Sequence, residues 1–343
     1  MSGLVCTNDR NRSARAFRRK TEERNYWILL GAFILLGIAA TYGLLVYNNP
    51  VPVTSPSFIP VVKRRMVAII AMIIAAVCQS LSTVAFQSIT NNRIITPSLL
   101  GFEALYSTIQ TSTMFFFGAR AFISLTNMQS FIFQVIAMVT MCLILFGWLL
   151  GGKYGNLQLM LLVGVIMGTG LRSLSSFMRR LLAPSEFDIL QARLFGSVNN
   201  AETSYFVVAI PLVLIASVLI IAHSKKLNIL SLGKDVCTSL GVNHKISTIY
   251  ILILVSVLMS ISTALVGSLT FFGFLVATLS YQFAPTYDHK YIFPMALAMG
   301  FLVLTASYFF MNHIFNAQGV VSIIIEMFGG ITFLIVILRK GIL

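Results

Sequence analysis

Two carboxylates, Glu103 and Glu326, fall inside stretches that are otherwise apolar. A charge in hydrocarbon costs about 2.5–3.5 kcal/mol, so each should face protein or a cavity rather than lipid. For Glu103 a simple pairing with Arg93 is one expectation. The other is a functional role, and an acid at such depth could carry protons. The remaining reactive residue types form no constellation. His223, His244, His289 and His313 lie at segment ends or in loops and lack metal-ligand spacing. Cys6, Cys78, Cys142 and Cys237 are scattered. No Ser/His/Asp or Cys/His grouping stands out. Gly147-x-x-x-x-Gly152-Lys153 mimics a phosphate-binding loop. However, Tyr154 stands where Ser or Thr would hold magnesium, and the glycines end an apolar helix instead of following a strand. The residues therefore point away from an enzyme and from a nucleotide site within this chain.

A second kind of chemistry is docking. In Leu230–Val242, written LSLGKDVCTSLGV, Leu232, Val236 and Leu240 recur every four residues. That spacing puts them on one face of a short helix, with Lys234, Asp235 and Ser239 on the other. Ser231 is the expected N-cap and Gly241 the expected C-terminal stop. The segment lies in the longest charged break of the second half, between two runs greasy enough to cross a bilayer. Such a helix either lies on the interface or seats in a groove of a soluble partner.

The elements that must position these residues are set by composition. Of 343 residues 57% are hydrophobic and 10% charged, against about 25% charged in soluble domains. With continuous apolar runs and no barrel-like alternation, this predicts an all-α polytopic membrane protein. Ten spans are expected at 26–47, 63–88, 98–117, 129–150, 156–177, 205–222, 247–267, 269–283, 290–311 and 318–338. An even number puts both termini on one side. The tail and alternate loops then hold 16 Lys and Arg, and the opposite side eight (Lys63, Arg64, Arg65, Arg120, Arg172, Arg179, Arg180 and Arg193). By the positive-inside rule both termini and Leu230–Val242 are expected in the cytoplasm. The net charge of +14 thus reads as topology, with no nucleic-acid partner. Residues 1–25, with Arg10, Arg12, Arg15, Arg18, Arg19, Lys20 and Arg24, are too long and charged for a signal n-region. They predict a basic cytoplasmic tail ahead of a single transmembrane domain, 26–343.

Within that domain, the Pro-rich loop 48–62 is expected outside, followed by Lys63, Arg64 and Arg65 at the outer mouth of the second span. Basic residues there either snorkel to headgroups or meet an acidic partner. Asn92–Gly101 (NRIITPSLLG) is a polar turn in which Pro97 should open the third helix. Gly164-x-x-x-Gly168 should allow close helix packing. The stretch 178–204 has room for a short extracytoplasmic helix. Gly267–Phe274 breaks an apolar run near the expected outer surface.

Three of these stretches together resemble permease subunits of type II ATP-binding-cassette importers, the iron-siderophore and cobalamin uptake family. Asn92, Pro97, Leu99, Leu100 and Gly101 match that family's N-P-L-A-[DE]-P-x-L-L-G turn. Leu230–Val242 is similar to its L-x-L-G-x-x-x-A-x-x-L-G-V coupling segment. Gly267, Phe271, Gly273 and Val276 match G-x-I-x-F-[VI]-G-L-x-V, and Phe195-Gly-Ser197 adds weaker support. The resemblance runs from about residue 60 to the C-terminus and implies several roles. The cytoplasmic segment at 229–245 docks on an ATPase dimer through Leu230, Leu232, Gly233, Val236, Leu240 and Gly241. Asn92, Ile94, Pro97, Leu99, Gly101 and Glu103 lie along the gate and pathway. Arg65, with Arg64 and Lys63, receives an acidic face of an extracytoplasmic binding protein.

The chain departs from the family pattern at Ala68, where a second Arg is usual. It departs again at Arg93, Thr96, Ser307 and Ile331, and at Ala277–Tyr281 in place of Pro-His-x-x-Arg. Such drift suits a pathway shared with a second, non-identical permease. The implied function is import of an iron-siderophore complex across a bacterial cytoplasmic membrane. ATP and magnesium would be used by the ATPase, and no cofactor held by this chain. A haem or cobalamin permease is the alternative within the family. A proton- or ion-coupled transporter using Glu103 and Glu326 is the alternative outside it.

Overall fold

The computed structural model describes residues 16–17, 19–47, 58–124, 127–151, 157–198, 201–314 and 320–340. Arg10, Arg12, Arg15 and Arg18, residues 48–57 and Gly152–Tyr154 lie outside them.

Among the described residues, ten helices of 12 to 32 residues occupy the ten predicted spans. They are α1 (Lys20–Val46), α2 (Phe58–Ile89), α3 (Phe102–Ser124), α4 (Met128–Gly151), α5 (Leu157–Arg180), α7 (Phe206–Ala222), α10 (His244–Val266), α11 (Phe272–Phe283), α12 (His289–His313) and α13 (Val321–Lys340). Three short helices join them: α6 (Pro184–Leu194), within the stretch expected to hold one, then α8 (Ser224–Leu230) and α9 (Lys234–Ser239). Among the described residues, six helices meet the length and hydropathy of a membrane span on their own.

The core is built on α2, α10 and α12. From Ile69 to Ile89 nearly every residue of α2 is buried, including Gln79, Ser80, Ser82, Thr83, Gln87 and Ser88. Buried Ser256, Ser260, Ser262 and Thr263 answer them from α10. Lipid offers no hydrophobic drive between helices, so small side chains that let backbones approach take over that role. Gly300 of α12 sits against Ser80 and Ala76, and Gly273 of α11 against Thr83 and Gln79. Gln79 Nε2 donates to Ser262 Oγ at 3.3 Å across the α2–α10 seam. α1 lies outside, its Gly37 and Gly43 seating Phe301 and Phe309 of α12. Its other side carries exposed Trp27, Ile28, Leu35 and Leu36, a lipid-facing pattern.

Two ends can be told apart. At one, Tyr26 OH donates to Tyr291 O at 2.9 Å and Thr286 Oγ1 to Ala16 O at 2.7 Å. These bonds join the start of α1 to the 284–288 turn and the start of α12, and Asn228 Nδ2, donating to Asp288 Oδ1 at 2.9 Å, adds α8. At the other, Arg65 reaches the last carbonyls of α1. Arg172 lies well inside α5, near Glu103.

Two helices begin part-way through the bundle. At 1.5 Å per residue, Thr83 and Gln79 lie about 9 and 15 Å from the Ile89 end of α2, and these residues meet Gly273 in the first turn of α11. Likewise Gly168 stands about 16 Å into α5 and meets Gly101, just before α3. The 267–271 turn was expected near the outer surface. It lies instead in this middle layer, because α10 ends there and α11 folds back after only 12 residues.

Candidate functional site

The docking stretch is not one helix. Leu230 closes α8, buried, and Gly233 at φ 92° turns the chain so that Lys234 starts α9. Ser231 is therefore not an N-cap but the C-cap of α8, and its Oγ donates back to Asn228 O. The other end is as expected: Gly241 has φ 77°. Its N–H bonds Thr238 O at 3.0 Å and Val242 N–H bonds Cys237 O at 3.0 Å, the paired bonds of a left-handed glycine cap. What anchors α9 inward is Cys237, fully buried, with Sγ donating to Ile229 O at 3.0 Å. Burial pushes this thiol's pKa up. The apolar stripe is left outside. Leu232, Val236 and Leu240 are 56%, 44% and 57% exposed, beside exposed Lys234, Asp235 and Ser239. Together they form an apolar patch rimmed by polar groups, a candidate interaction surface.

The 90–101 turn rises from that same end into the middle layer. Asn92 Oδ1 accepts from Ile94 N at 2.9 Å, and Gln87 Nε2 donates to Arg93 O at 2.7 Å. The Arg93 guanidinium lies 4.6 Å over the Tyr281 ring, so the Arg93–Glu103 pairing considered from sequence does not form. Pro97 opens a single 3-10 turn, Pro97–Leu100, and not α3; Gly101, at φ 105°, then redirects the chain. Leu99 is half-buried and Leu100 buried. The expected close approach at Gly164 and Gly168 is real, and what approaches them is the end of the 3-10 turn, the Leu100 side chain at Gly164 and the Gly101 backbone at Gly168. A Cβ at Gly101 would fall 3.2 Å from Gly168 Cα.

Glu103 sits just beyond that turn, 5% exposed. Its Oε2 accepts from Ser268 Oγ at 2.5 Å and from Thr270 Oγ1 at 2.6 Å. Thr270 Oγ1 also lies 3.4 Å from Glu326 Oε1. Both intramembrane acids thus meet at one hydroxyl on the 267–271 turn. Beside it the chain after α6 pairs with the same turn: Ser197 N donates to Val266 O at 2.7 Å, Phe195 bridges to Ser268, and Gly196 leaves no room there for a side chain. A cavity of about 290 Å3 opens on this junction, lined among others by Glu103, Arg172, Gln191, Gly196, Thr270 and Glu326. Irregular backbone at membrane depth is tolerated only where protein buries it or where it lines an aqueous cavity. Ser268 and Thr270 were missed as partners of Glu103, although their spacing inside the Gly267 motif was the available signal.

At the far end Lys63 and Arg64 are exposed, while Arg65 is half-buried. Arg65 Nη1 donates to Leu44 O at 2.9 Å and Leu45 O at 3.1 Å. Those carbonyls belong to the last turn of α1, where a cation is favoured by the helix dipole. Of the three cations, Arg65 is therefore partly committed to its own fold, and the other two present their charge outward. The structure thus separates the sequence-derived residues into three places: the α9 surface, the turn rising to Glu103, and the Arg65 end.

Known proteins match this arrangement along most of its length. Over 333 residues the chain is 71% identical to the petrobactin import system permease protein FatC of Bacillus anthracis, covering 97% of this chain and 94% of that protein. It is 25% identical over 278 residues to FatD, a second petrobactin import system permease protein of Bacillus anthracis, covering 80% of each. Among solved structures, a metal-chelate type ABC transporter in an inward-facing conformation superposes with a TM-score of 0.77 at 19% identity. The match covers 91% of this chain and 99% of that one. The model of the FecCD transport family matches residues 28–339, and with that span and the relatives above, the chain belongs to the FecCD transport family.

Proposed function

We propose that this chain is a permease subunit of an ATP-driven importer that carries an iron-siderophore complex, specifically ferric petrobactin, across a bacterial cytoplasmic membrane. The α9 end faces the cytoplasm and the Arg65 end faces outward. A separate ATPase dimer binds and hydrolyses ATP with magnesium, and seats the Leu232–Val236–Leu240 stripe in a groove. A second, non-identical permease completes the pathway, lining it opposite the Glu103–Thr270–Glu326 junction. An extracytoplasmic binding protein delivers the chelate to Lys63 and Arg64, with Arg65 behind them. The observation that carries the importer reading is the outward apolar stripe on α9, which serves no purpose in the fold of the chain itself. The substrate rests on the 71% identity to FatC, and the second permease on FatD, a distinct petrobactin import permease of the same organism as FatC.

The chemistry follows from these positions. No residue reacts with the chelate; the chain offers a shaped, partly polar path and a lever. ATP binding can shift the two access states only through contacts that differ between them, and α9 supplies such contacts. Co-purification in mild detergent with mass spectrometry tests the assembly. Recovery of an ATPase and a second permease is expected, together with ATP-dependent uptake of 55Fe-petrobactin into vesicles. A chain that purifies alone and takes up substrate without ATP would overturn the proposal. If that uptake also collapsed with the proton gradient, it would favour proton coupling through Glu103 and Glu326, which share the Thr270 hydroxyl.

A further inference from the structure

Behind α9 runs a polar chain, half-buried at Asn228 and buried from His289 to Gln87, for which the docking surface itself has no need. It starts on α8. Asn228 Oδ1 accepts from His289 N at 2.9 Å and from His289 Nδ1 at 2.5 Å, while its Nδ2 donates to Asp288 Oδ1 at 2.9 Å. That arrangement fixes the amide, and with it the imidazole: Nδ1 carries the hydrogen and Nε2 is left as acceptor. His289 Nε2 meets Ser88 Oγ at 2.5 Å, in the last turn of α2. That hydroxyl also lies 2.7 Å from Val84 O and serves one acceptor at a time. The next residue back, Gln87, holds Arg93 O in the 90–96 turn. His289, Ser88 and Gln87 are 3%, 5% and 2% exposed. Apolar side chains of similar size would fill these places without the cost of burying polar groups. What they would lack is direction, since a buried hydrogen bond holds one relative placement of its two elements whereas apolar surfaces slide.

α9 is itself tied to α8 by the Cys237–Ile229 hydrogen bond and by the buried Leu227 and Leu230. The chain of contacts is therefore continuous from the exposed stripe to the turn below Glu103. We propose that Asn228, His289 and Ser88 are positioning residues that link the α8–α9 unit to the 87–94 turn, so that displacement of α9 is delivered to the gate. This rests on the reading of α9 as the ATPase dock. The physical warrant is a largely buried network whose two ends lie on the two surfaces that must move together.

The importer complex that co-purifies with the chain, reconstituted with its binding protein and 55Fe-petrobactin, provides the test. The quantity read is ATP hydrolysed per iron transported. Asn228→Leu and His289→Leu should keep the ATPase bound in unchanged yield and raise that ratio by about tenfold, within the usual range of coupling energies. His289→Gln keeps one donor and one acceptor and should return the ratio most of the way. Ser88→Ala lies on α2, away from the dock, and should raise the ratio even if the α8 or α12 variants fail to assemble. A ratio within about twofold of wild type in Ser88→Ala and in whichever leucine variants assemble overturns the proposal, since that is less than the weakest common coupling. Failure of the docking reading looks different: Leu232→Glu with Leu240→Glu would then leave the ATPase bound.

Discussion

Consider Leu232→Glu combined with Leu240→Glu. Complete burial of a leucine side chain is worth about 1.5–3 kcal/mol. Leu232 and Leu240 are 56% and 57% exposed, so a little over half of that remains to be gained on docking, about 0.8–1.7 kcal/mol each. Together the pair contributes about 1.6–3.4 kcal/mol, or roughly 15- to 300-fold in affinity. Glutamates lose that contribution and add the desolvation of two charges, so the loss should reach at least the lower figure. The fold of the chain should hardly notice. Both side chains point outward, while α9 is held by Cys237 and α8 by Leu227 and Leu230. The expected change in stability is therefore within about 0.5 kcal/mol. Titration of the purified ATPase onto the immobilised permease pair reads the affinity, and a detergent melting curve reads the fold. Near-wild-type affinity in the double variant would refute the reasoning, because an exposed apolar stripe that can be charged without loss is not an interface.

Other expectations follow from single contacts. Gly101→Ala faces both a left-handed φ of 105° and the Gly168 backbone 3.2 Å away. It should cost about 1–2 kcal/mol from the backbone conformation alone and lower the melting temperature. Gly170→Ala, inside α5 with nothing within 4 Å, should not lower it and should raise it slightly, since alanine favours a helix interior over glycine. Thr270→Val removes one of the hydroxyl donors to Glu103 and the one near Glu326. A loss of about 1–3 kcal/mol is expected and thermal denaturation would measure it, with Thr270→Ser largely restoring stability. Cys237 should resist maleimide in the native chain and react on unfolding. Its raised pKa favours the neutral thiol, so that contribution to stability is present below the ordinary thiol value of about 8.5 and fades only as pH rises past it. Labelling rate against pH checks both statements; rapid alkylation of folded chain near pH 8 would contradict them.

Much of the architecture was legible in the sequence, for a definite reason. In lipid every backbone group must be bonded within a helix, so a continuous apolar run can hardly be anything else. The ten spans, the short helix after α5 and the glycine stop at Gly241 all follow from local rules. So does the apolar spacing of Leu232, Val236 and Leu240. The family resemblance rested on turns whose glycines are needed for conformation or close approach, and Gly101, Gly233 and Gly267 all have positive φ.

What tertiary structure decided was partnership and depth. Periodicity says which residues share a face, not whether that face is turned inward; Cys237 took the inward side of α9, and the leucines were left outside. Pro97 is as good an opening for a 3-10 turn as for a helix, and only the Gly164–Gly168 surface that receives Leu100 and Gly101 settles where α3 can begin. Glu103 had a nearer cation in sequence at Arg93, but Arg93 stays over Tyr281. The hydroxyls that meet its Oε2 come from 165 and 167 residues away. Likewise the contacts of Asn228 with His289 and of Ser88 with His289 span 61 and 201 residues. A chain read alone shows which groups need partners, because burial without them is costly. Which partners they find is set by how helices of fixed rise fold back on one another.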